Sequence, residues 1–300
     1  MWVRVPLGNS DIFLSKNSSK NIIITILLLL NNLLHSLCLS ELLETFYEDA
    51  AHYWSFDDVN MKDLKTGTPL VAVGDVTRAL GPVNQAIHIT SSSHVLFGTV
   101  KGVCLVDPSL CSSGLTMALW LKPEYRFRTR LFFTSVSKQL GVLLVSENAE
   151  KSVTMFIRGT NHNCKLSVKL PERIWSFISI TWSLSDDGSG NLAFYYNDVE
   201  KLTKACQSSP QSFGAYQEKM EAVSDSLARY SLDELAIWMQ LLSEVRIREI
   251  YSIVAGEPGW MLKLRLHTAI NRADFVSWCM FIRTKVTKCN CEKITLYFRG

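Results

Sequence analysis

The sequence predicts an all-β fold, an antiparallel sandwich or barrel with one short helix after the last strand. Short segments rich in β-branched and aromatic residues recur along the chain, turn signals separate them, and one amphipathic helical pattern follows the last of them. The 300 residues can form one large domain or two small ones. With 47% hydrophobic and 20% charged residues, the composition excludes a disordered protein.

The predicted strands begin at residues 52–57, where alternation places Trp54 and Phe56 on one face. The strand at 115–121 follows a Ser-Ser-Gly turn signal, and the segments at 186–190 and 197–198 are further turns. Other strands are predicted at 130–136, 140–146, 152–158, 165–170, 175–182 and 192–196.

The predicted helix covers residues 243–254. Ser243 is a suitable N-cap, the apolar residues approximate one helical face, and Gly256 and Pro258 mark the end. The polar segment 211–230 is an insertion that we expect to be a loop or a short helix.

The N-terminal segment has the features of a secretory signal. Lys16 and Lys20 precede the apolar run 22–30, and small residues near position 40 suit cleavage. We therefore predict a signal peptide at 1–40 and a secreted, extracellular protein. The alternatives are an uncleaved anchor at 22–40, which would tether the protein to the cell surface, and an internal core helix.

The C-terminal segment, residues 257–300, differs in charge from the body. It carries eight Lys or Arg against three Asp or Glu, and it lacks the strand rhythm of residues 51–256. We treat 51–256 as the β domain and 257–300 as a basic tail. The formal net charge of the whole chain, +3, is too small to predict nucleic-acid binding.

Four cysteines fall within the body. We predict local pairing of Cys104 with Cys111 and of Cys164 with Cys206, which is one of three connectivities and fits an oxidising compartment. The alternative is that these are buried free thiols, since free cysteine is a common core residue.

Five segments in order carry a resemblance to a known family. They are the stretches at 52–58, 111–122, 175–182, 192–198 and 230–238, with the helix after them. Together they resemble the laminin-G-like jelly-roll domain of the concanavalin A-like lectin superfamily, which is related to the pentraxins. The resemblance spans about two-thirds of the chain and implies a jelly-roll sandwich whose first and last strands are neighbours. The pentraxin His-x-Cys signature is absent, so the broader laminin-G-like group is the assignment.

Catalysis is not expected. Glycoside hydrolases of this superfamily carry two closely spaced carboxylates, and the sequence has no Glu followed two residues later by Asp. Signatures of serine hydrolases, P-loop proteins and zinc proteases are also missing. We predict a protein that is not an enzyme.

Calcium is the one cofactor that the sequence suggests. Asp57, Asp58, Asp233 and Glu234 lie on the first and last strands, which we expect to be neighbours, and calcium prefers carboxylate and carbonyl oxygens. The alternative is that these are strand-end carboxylates paired with backbone N–H groups or an arginine.

A basic ladder is the candidate ligand-binding feature. Arg126, Arg128 and Arg130 are spaced by two, so on one strand they would project from one face and suit sulfate groups. The alternative is an edge strand that is protected from aggregation by charge.

We therefore predict a recognition or adhesion module that binds an extracellular glycan or protein through loops at the sandwich ends. This step rests on analogy of fold. One alternative is a structural module or a fragment of a larger surface receptor or matrix protein with no ligand of its own. The other is a carbohydrate-active enzyme, which the missing carboxylate pair disfavours.

Overall fold

The computed structural model divides the chain into two compact units, one of residues 46–261 and one of residues 1–45 with 262–300. In the second unit, β1 (Trp2–Leu7) and β2 (Ser10–Ser15) form an antiparallel pair. The structure describes residues 2–7, 10–15, 46–90, 93–99, 103–124, 129–134, 140–147, 150–197, 200–209, 219–223 and 229–255.

The described part of the larger unit is built almost entirely of strands. They are β3 (His52–Trp54), β4 (Val71–Val73), β5 (Val76–Leu80), β6 (Gln85–Ile89), β7 (His94–Thr99), β8 (Leu115–Glu124), β9 (Thr129–Phe133), β10 (Gly141–Glu147), β11 (Ser152–Arg158), β12 (Asn163–Lys169), β13 (Ser176–Leu184), β14 (Gly190–Tyr196), β15 (Glu200–Cys206), β16 (Lys219–Val223) and β17 (Arg229–Trp238). Two helices, α1 (Val103–Val106) and α2 (Glu244–Ala255), and a 3-10 turn at Pro108–Leu110 complete it. Within the described stretches, no helix is long and apolar enough to span a bilayer.

The strands form two sheets. The seven-stranded sheet has the order β12–β11–β10–β9–β16–β7–β4. The eight-stranded sheet has the order β15–β14–β13–β8–β17–β6–β5, with β3 also paired to β17. All the pairs are antiparallel, so the predicted all-β antiparallel sandwich is confirmed.

Strand β17 organises the eight-stranded sheet. One of its edges pairs with β8 along most of its length, and the other edge is shared, because β6 pairs with Tyr230–Leu232 and β3 pairs with Leu235–Ile237. Between these two stretches the register with β8 shifts, and Glu234 takes a left-handed backbone with φ of 49°. This β-bulge leaves Asp233 and Glu234 at a gap between β6 and β3.

The core lies between the two sheets. Alternation on β13 points Ile178, Ile180 and Trp182 inward, where each is buried. Trp54 of β3 also faces inward and meets Phe97 of the opposite sheet edge-on at 5.0 Å between ring centroids. Because residues of both sheets interdigitate here, the apolar contacts hold the two layers together.

Helix α2 covers part of the outer face of the eight-stranded sheet. Ile247, Ile250 and Ile253 are its buried residues, and Tyr251 packs against Trp120 and Phe177, each 5.8 Å away between ring centroids. The hydroxyl of Ser243 accepts a bond from the backbone N–H of Arg246 at 3.2 Å, so the predicted N-cap is formed. The helix predicted at 243–254 is confirmed within one residue.

Two regions differ from the sequence prediction. The stretch 71–99 contains four strands where the sequence analysis predicted none, and the segment 211–230, predicted as a loop or a short helix, contains β16 and the start of β17. Strands β4 and β5 are short and largely exposed, so they lack the apolar alternation on which a strand prediction depends.

Candidate functional site

An open groove lies on the outer face of the eight-stranded sheet, where β13, β14 and β15 are adjacent. Its volume is about 510 Å³. The outward residues of these strands alternate with core residues, and this alternation explains why the groove is polar while the opposite face of the same strands is apolar. The outward residues that line it are Thr181, Ser183, Asn191, Ala193, Tyr195, Lys201, Thr203 and Ala205.

The strand register brings these outward residues side by side. Ala193 of β14 lies opposite Thr181 on one side and opposite Thr203 on the other. Tyr195 lies opposite Lys201 in the same way. Since three hydrogen-bonded strands supply the floor, the positions of these side chains are set by the sheet and not by a loop.

One wall of the groove is the segment from Leu241 to Glu244, which connects β17 to α2. Thr116 pins this segment, because its hydroxyl donates to the Gln240 carbonyl at 2.8 Å and accepts from the Leu242 N–H at 2.9 Å. The backbone N–H of Leu241 donates to the Ser113 carbonyl at 2.9 Å, while the residue as a whole stays 49% exposed. The wall is therefore a fixed backbone that presents an apolar side chain to solvent.

One carboxylate, that of Glu244, pairs with two cationic side chains at the groove. Lys201 Nζ lies 2.7 Å from Glu244 Oε2, and Arg248 lies 2.7 Å from Glu244 Oε1. The hydrogen bond from Lys201 lowers the pKa of Glu244, and the same bond raises the pKa of Lys201. Lys201 Nζ also lies 5.3 Å from the centre of the Tyr195 ring. Both oxygens of the carboxylate and the ammonium are therefore already engaged.

The residues predicted to bind calcium separate into two environments. Asp57 and Asp58 follow β3, where Asp57 accepts from the Gln85 N–H at 2.9 Å and Asp58 accepts from the Asn60 N–H at 3.1 Å. Asp233 and Glu234 occupy the β17 bulge, and both are fully buried.

The two buried carboxyl groups hold neighbouring elements. Asp233 accepts from the Val83 N–H at 3.2 Å and from the Glu234 N–H at 3.0 Å, so it ties the β5–β6 turn to the bulge. Glu234 Oε2 accepts from the Tyr53 hydroxyl at 2.6 Å. Glu234 Oε1 and the hydroxyl of Tyr47 have no hydrogen-bond partner among the described residues.

Burial controls the ionisation of this cluster. Loss of solvent raises the pKa of Asp233 and of Glu234 well above the ordinary values, and the charge of Glu234 raises that of Asp233 further. Burial also raises the pKa of the half-buried Asp57, whose charge adds to the effect on both buried carboxyls.

The four residues do not converge as a calcium site requires. Asp57, Asp58 and Asp233 each already accept backbone N–H bonds, and Glu234 Oε1 is the buried carboxyl oxygen of this set that has no partner among the described residues. Within the described residues, no three His, Cys, Asp or Glu side chains come together in a way that holds a metal. Calcium at these positions stays a prediction, without a coordination geometry to support it.

Both disulfides of the predicted pairing are present. Cys104 and Cys111 close a short loop around α1 and the 3-10 turn, and Cys164 of β12 joins Cys206 of β15. The second bond links edge strands of opposite sheets, so it closes one side of the sandwich beside the groove.

The arginine ladder falls largely beyond what the structure describes. Arg126 and Arg128 lie outside the described residues, and Arg130 lies in β9, where only its backbone is described. The proposal of a sulfate-binding stripe therefore stays a prediction from the sequence.

The adjacent carboxyls Asp233 and Glu234 are the pair that invites comparison with a hydrolase. Both have zero exposure, and their oxygens face Val83, Tyr53 and the bulge backbone. The pair is closed off from solvent, and its described hydrogen bonds are with the protein itself.

The sequence analysis did not identify the groove. Its residues are ordinary alternating positions of predicted strands, and the prediction placed ligand binding at the loops of the sandwich ends and at the arginine ladder 126–130. The available signal was the run of small and polar outward residues at 181–183, 191–195 and 201–205, which is typical of an uncovered outer face.

Comparison with known proteins finds likeness in fold. No protein-family model matches the sequence, and no curated protein matches it. Among solved structures, the binding domain of botulinum neurotoxin DC in complex with rat synaptotagmin II has a TM-score of 0.56 and 11% identity, over 70% of this chain and 52% of that one.

Two further structures match to the same degree. The binding domain of botulinum neurotoxin DC in complex with SialylT has a TM-score of 0.55 and 10% identity, over 70% of this chain and 52% of that one. A structure described as a receptor binding domain has a TM-score of 0.56 and 9% identity, over 70% and 52%. The chain thus spans about half the length of the structures it matches, and the likeness shows that it shares their β-sandwich fold.

Proposed function

We propose that the β-sandwich is a non-catalytic recognition module that binds an extracellular glycan or protein in the groove over β13–β15. The observation that carries the proposal is the groove itself. It places hydroxyl, amide and apolar groups on a rigid sheet beside a pinned wall, and pre-positioned groups reduce the ordering cost of binding.

The similar structures support recognition over catalysis. They are described as binding domains, one of them in complex with a protein and one with SialylT. Fold alone does not transfer a ligand, so the glycan-or-protein assignment for this chain depends on the groove.

An extracellular location and laminin-G-like membership belong to the same proposal. Two disulfides suit an oxidising compartment, and the segment 1–40 has the pattern of a secretory signal. The pairing of β3 with β17 matches the neighbouring first and last strands that the laminin-G-like resemblance implies.

The test is to block the groove without disturbing the core. Thr203 is exposed on edge strand β15, so Thr203→Trp fills the groove while leaving the inward face intact. Thr77→Trp is the matched control, because Thr77 is an exposed threonine on β5, the opposite edge strand of the same sheet. Both variants of the full chain are screened beside the wild type against arrays of cell-surface proteins and of glycans.

We expect a ligand of the wild type to be retained by Thr77→Trp and lost by Thr203→Trp. A ligand that binds all three proteins equally would show that recognition occurs elsewhere. A correctly folded wild type that binds nothing on either array would favour the structural-module alternative and overturn the proposal.

A further inference from the structure

We infer that the groove selects an uncharged oligosaccharide and binds it without calcium. The inference rests on the proposed function, since it names the ligand class of the same groove. It follows from three properties of the lining. Its polar groups can both donate and accept hydrogen bonds, Lys201 is paired with Glu244, and one wall presents an apolar side chain.

The polar groups that line the floor both donate and accept hydrogen bonds. Thr181, Ser183 and Thr203 each bring a hydroxyl, and Asn191 brings an amide. The amide N–H of Asn191 donates to the Ser185 hydroxyl at 2.8 Å, which orients the side chain and leaves its oxygen and one N–H for a ligand. A sugar presents hydroxyls that likewise donate and accept, so the floor and the ligand match in chemistry.

The charges disfavour a sulfated or carboxylated ligand. Lys201 is bound to the Glu244 carboxylate at 2.7 Å, and the other oxygen of Glu244 is taken by Arg248. An anion would have to displace Glu244 from Lys201 to gain an ion pair. Lys204 also borders the groove, but the register places it opposite the core residue Leu192, on the inward row of β15. Among the described outward residues of the floor, Lys201 is the one cation, and Glu244 already pairs with it.

The same pairing makes calcium unnecessary. Glu244 is the one carboxylate among the described lining residues, and both of its oxygens accept from cationic side chains. A calcium-bridged ligand would need several oxygen donors at one point, which this lining does not supply.

The apolar surface of the groove suits the C–H edges of sugar rings. Leu241 is 49% exposed on a wall whose backbone is fixed by Thr116 and Ser113. Tyr195 is nearly buried beneath Lys201, so ring stacking contributes little, and the exposed side chain of Leu241 supplies the apolar contact. The volume of about 510 Å³ falls within the range of small-ligand sites, roughly 300–1,000 Å³, which corresponds to a short oligosaccharide.

The experiment titrates the full chain with neutral tri- and tetrasaccharides of gluco, galacto and manno configuration. Each is compared with its sulfated counterpart, in calcium and in EDTA. Asn191→Ala removes the oriented amide and, because one hydrogen bond is worth about 1 kcal/mol, should weaken binding roughly fivefold. Asn163→Ala is the control, since Asn163 is an exposed asparagine on β12 of the other sheet. Thr203→Trp should abolish binding.

The expected result is binding of a neutral sugar that EDTA leaves unchanged, that sulfation weakens, and that Asn191→Ala but not Asn163→Ala reduces. A preference for the sulfated sugars, or loss of binding in EDTA, would overturn the inference. The inference would also be overturned if no neutral sugar binds and a protein ligand binds the wild type but not Thr203→Trp. That result would leave the proposed function intact. If Thr203→Trp abolishes the binding of neither a protein nor a sugar, the inference and the proposed function are both contradicted.

Discussion

The outer face of the eight-stranded sheet has two polar regions with opposite properties. At the β17 bulge, Asp233 and Glu234 are fully buried and their carboxyl oxygens bond to the protein itself. Over β13–β15, hydroxyls and an amide line a groove that is open to solvent. The bulge lies in the middle of the sheet, and the groove lies toward the edge formed by β15.

The comparison shows that the position of a polar residue within the sheet decides whether it stabilises the fold or is available to a ligand. A carboxyl group placed in the middle of the sheet loses water, so it is kept only if the structure bonds to it, and it then acts on stability. A hydroxyl placed near the edge keeps its water and can exchange it for a ligand. Three predictions test this difference, and the largest effect is expected at the edge itself.

Removal of the Cys164–Cys206 bond should have the largest effect on stability. The bond spans 42 residues and ties β12 to β15, so the double change Cys164→Ser with Cys206→Ser should lower the free energy of unfolding by about 4 kcal/mol in the chain-entropy model. The comparison variant, Cys104→Ser with Cys111→Ser, opens a loop with a separation of 7 and should cost about 2–3 kcal/mol. Urea denaturation measures both.

The local effect distinguishes the two regions. Hydrogen exchange should rise in β12 and β15 of the Cys164/Cys206 variant and stay unchanged at the β17 bulge. An equal rise at the bulge would mean that the two regions are one cooperative unit and that the contrast between them is wrong.

The next effect is expected at Asp233. Asp233→Ala leaves the buried backbone N–H groups of Val83 and Glu234 without an acceptor, and each unpaired buried donor costs about 1–3 kcal/mol. We expect a loss of about 3 kcal/mol in thermal or urea unfolding. The matched variant at the groove, Asn191→Ala, should change stability by less than about 0.5 kcal/mol because the residue is exposed. Comparable losses in both variants would contradict the division into a structural and an open region.

The smallest effect, and the most specific, is a change in pH dependence at Glu234. Burial raises the pKa of this carboxyl, so the folded state binds its proton more tightly than the unfolded state does. The stability contributed by that proton is complete below the ordinary glutamate pKa and is lost as the pH rises through the folded value. The wild type should therefore be less stable at pH 8 than at pH 4.5 through this group.

Glu234→Gln removes that dependence. The amide oxygen can still accept from Tyr53, and the amide group carries no charge at either pH. We expect the variant to exceed the wild type by about 1–2 kcal/mol at pH 8, with the difference shrinking toward pH 4.5. Chemical denaturation at both pH values measures it, and a difference that grows toward low pH would reverse the assigned direction.

Much of the fold follows from the sequence. Strands with strong alternation or aromatic content, such as β8 and β13, were predicted because their inward residues carry the core. The helix after β17 was predicted from its Ser243 cap. The short strands β4 and β5 were not, since exposed edge strands bury too little to leave a pattern.

The site was harder to predict, for a physical reason. The acidic residues that suggested calcium are easy to identify in the sequence. At the bulge, however, Asp233 and Glu234 are buried, and their carboxyl groups accept hydrogen bonds from the protein itself. A bulge depends on how three strands meet, and a single strand does not reveal it. The groove arises from the register of β13, β14 and β15 and from a wall that belongs to the β17–α2 connection, so its parts come from distant stretches of chain.

The pairing of β3 with β17 has a consequence for how this unit is joined to other sequence. Its first described residue, Phe46, accepts a hydrogen bond through its carbonyl from the Arg246 guanidinium at 2.9 Å. Ala255 is only nine residues beyond Arg246, or about 14 Å along a helix. The chain therefore enters and leaves the sandwich at neighbouring points. A domain whose ends are close together can be inserted into a surface loop of another protein, or circularly permuted, without distortion of its own fold or of the host.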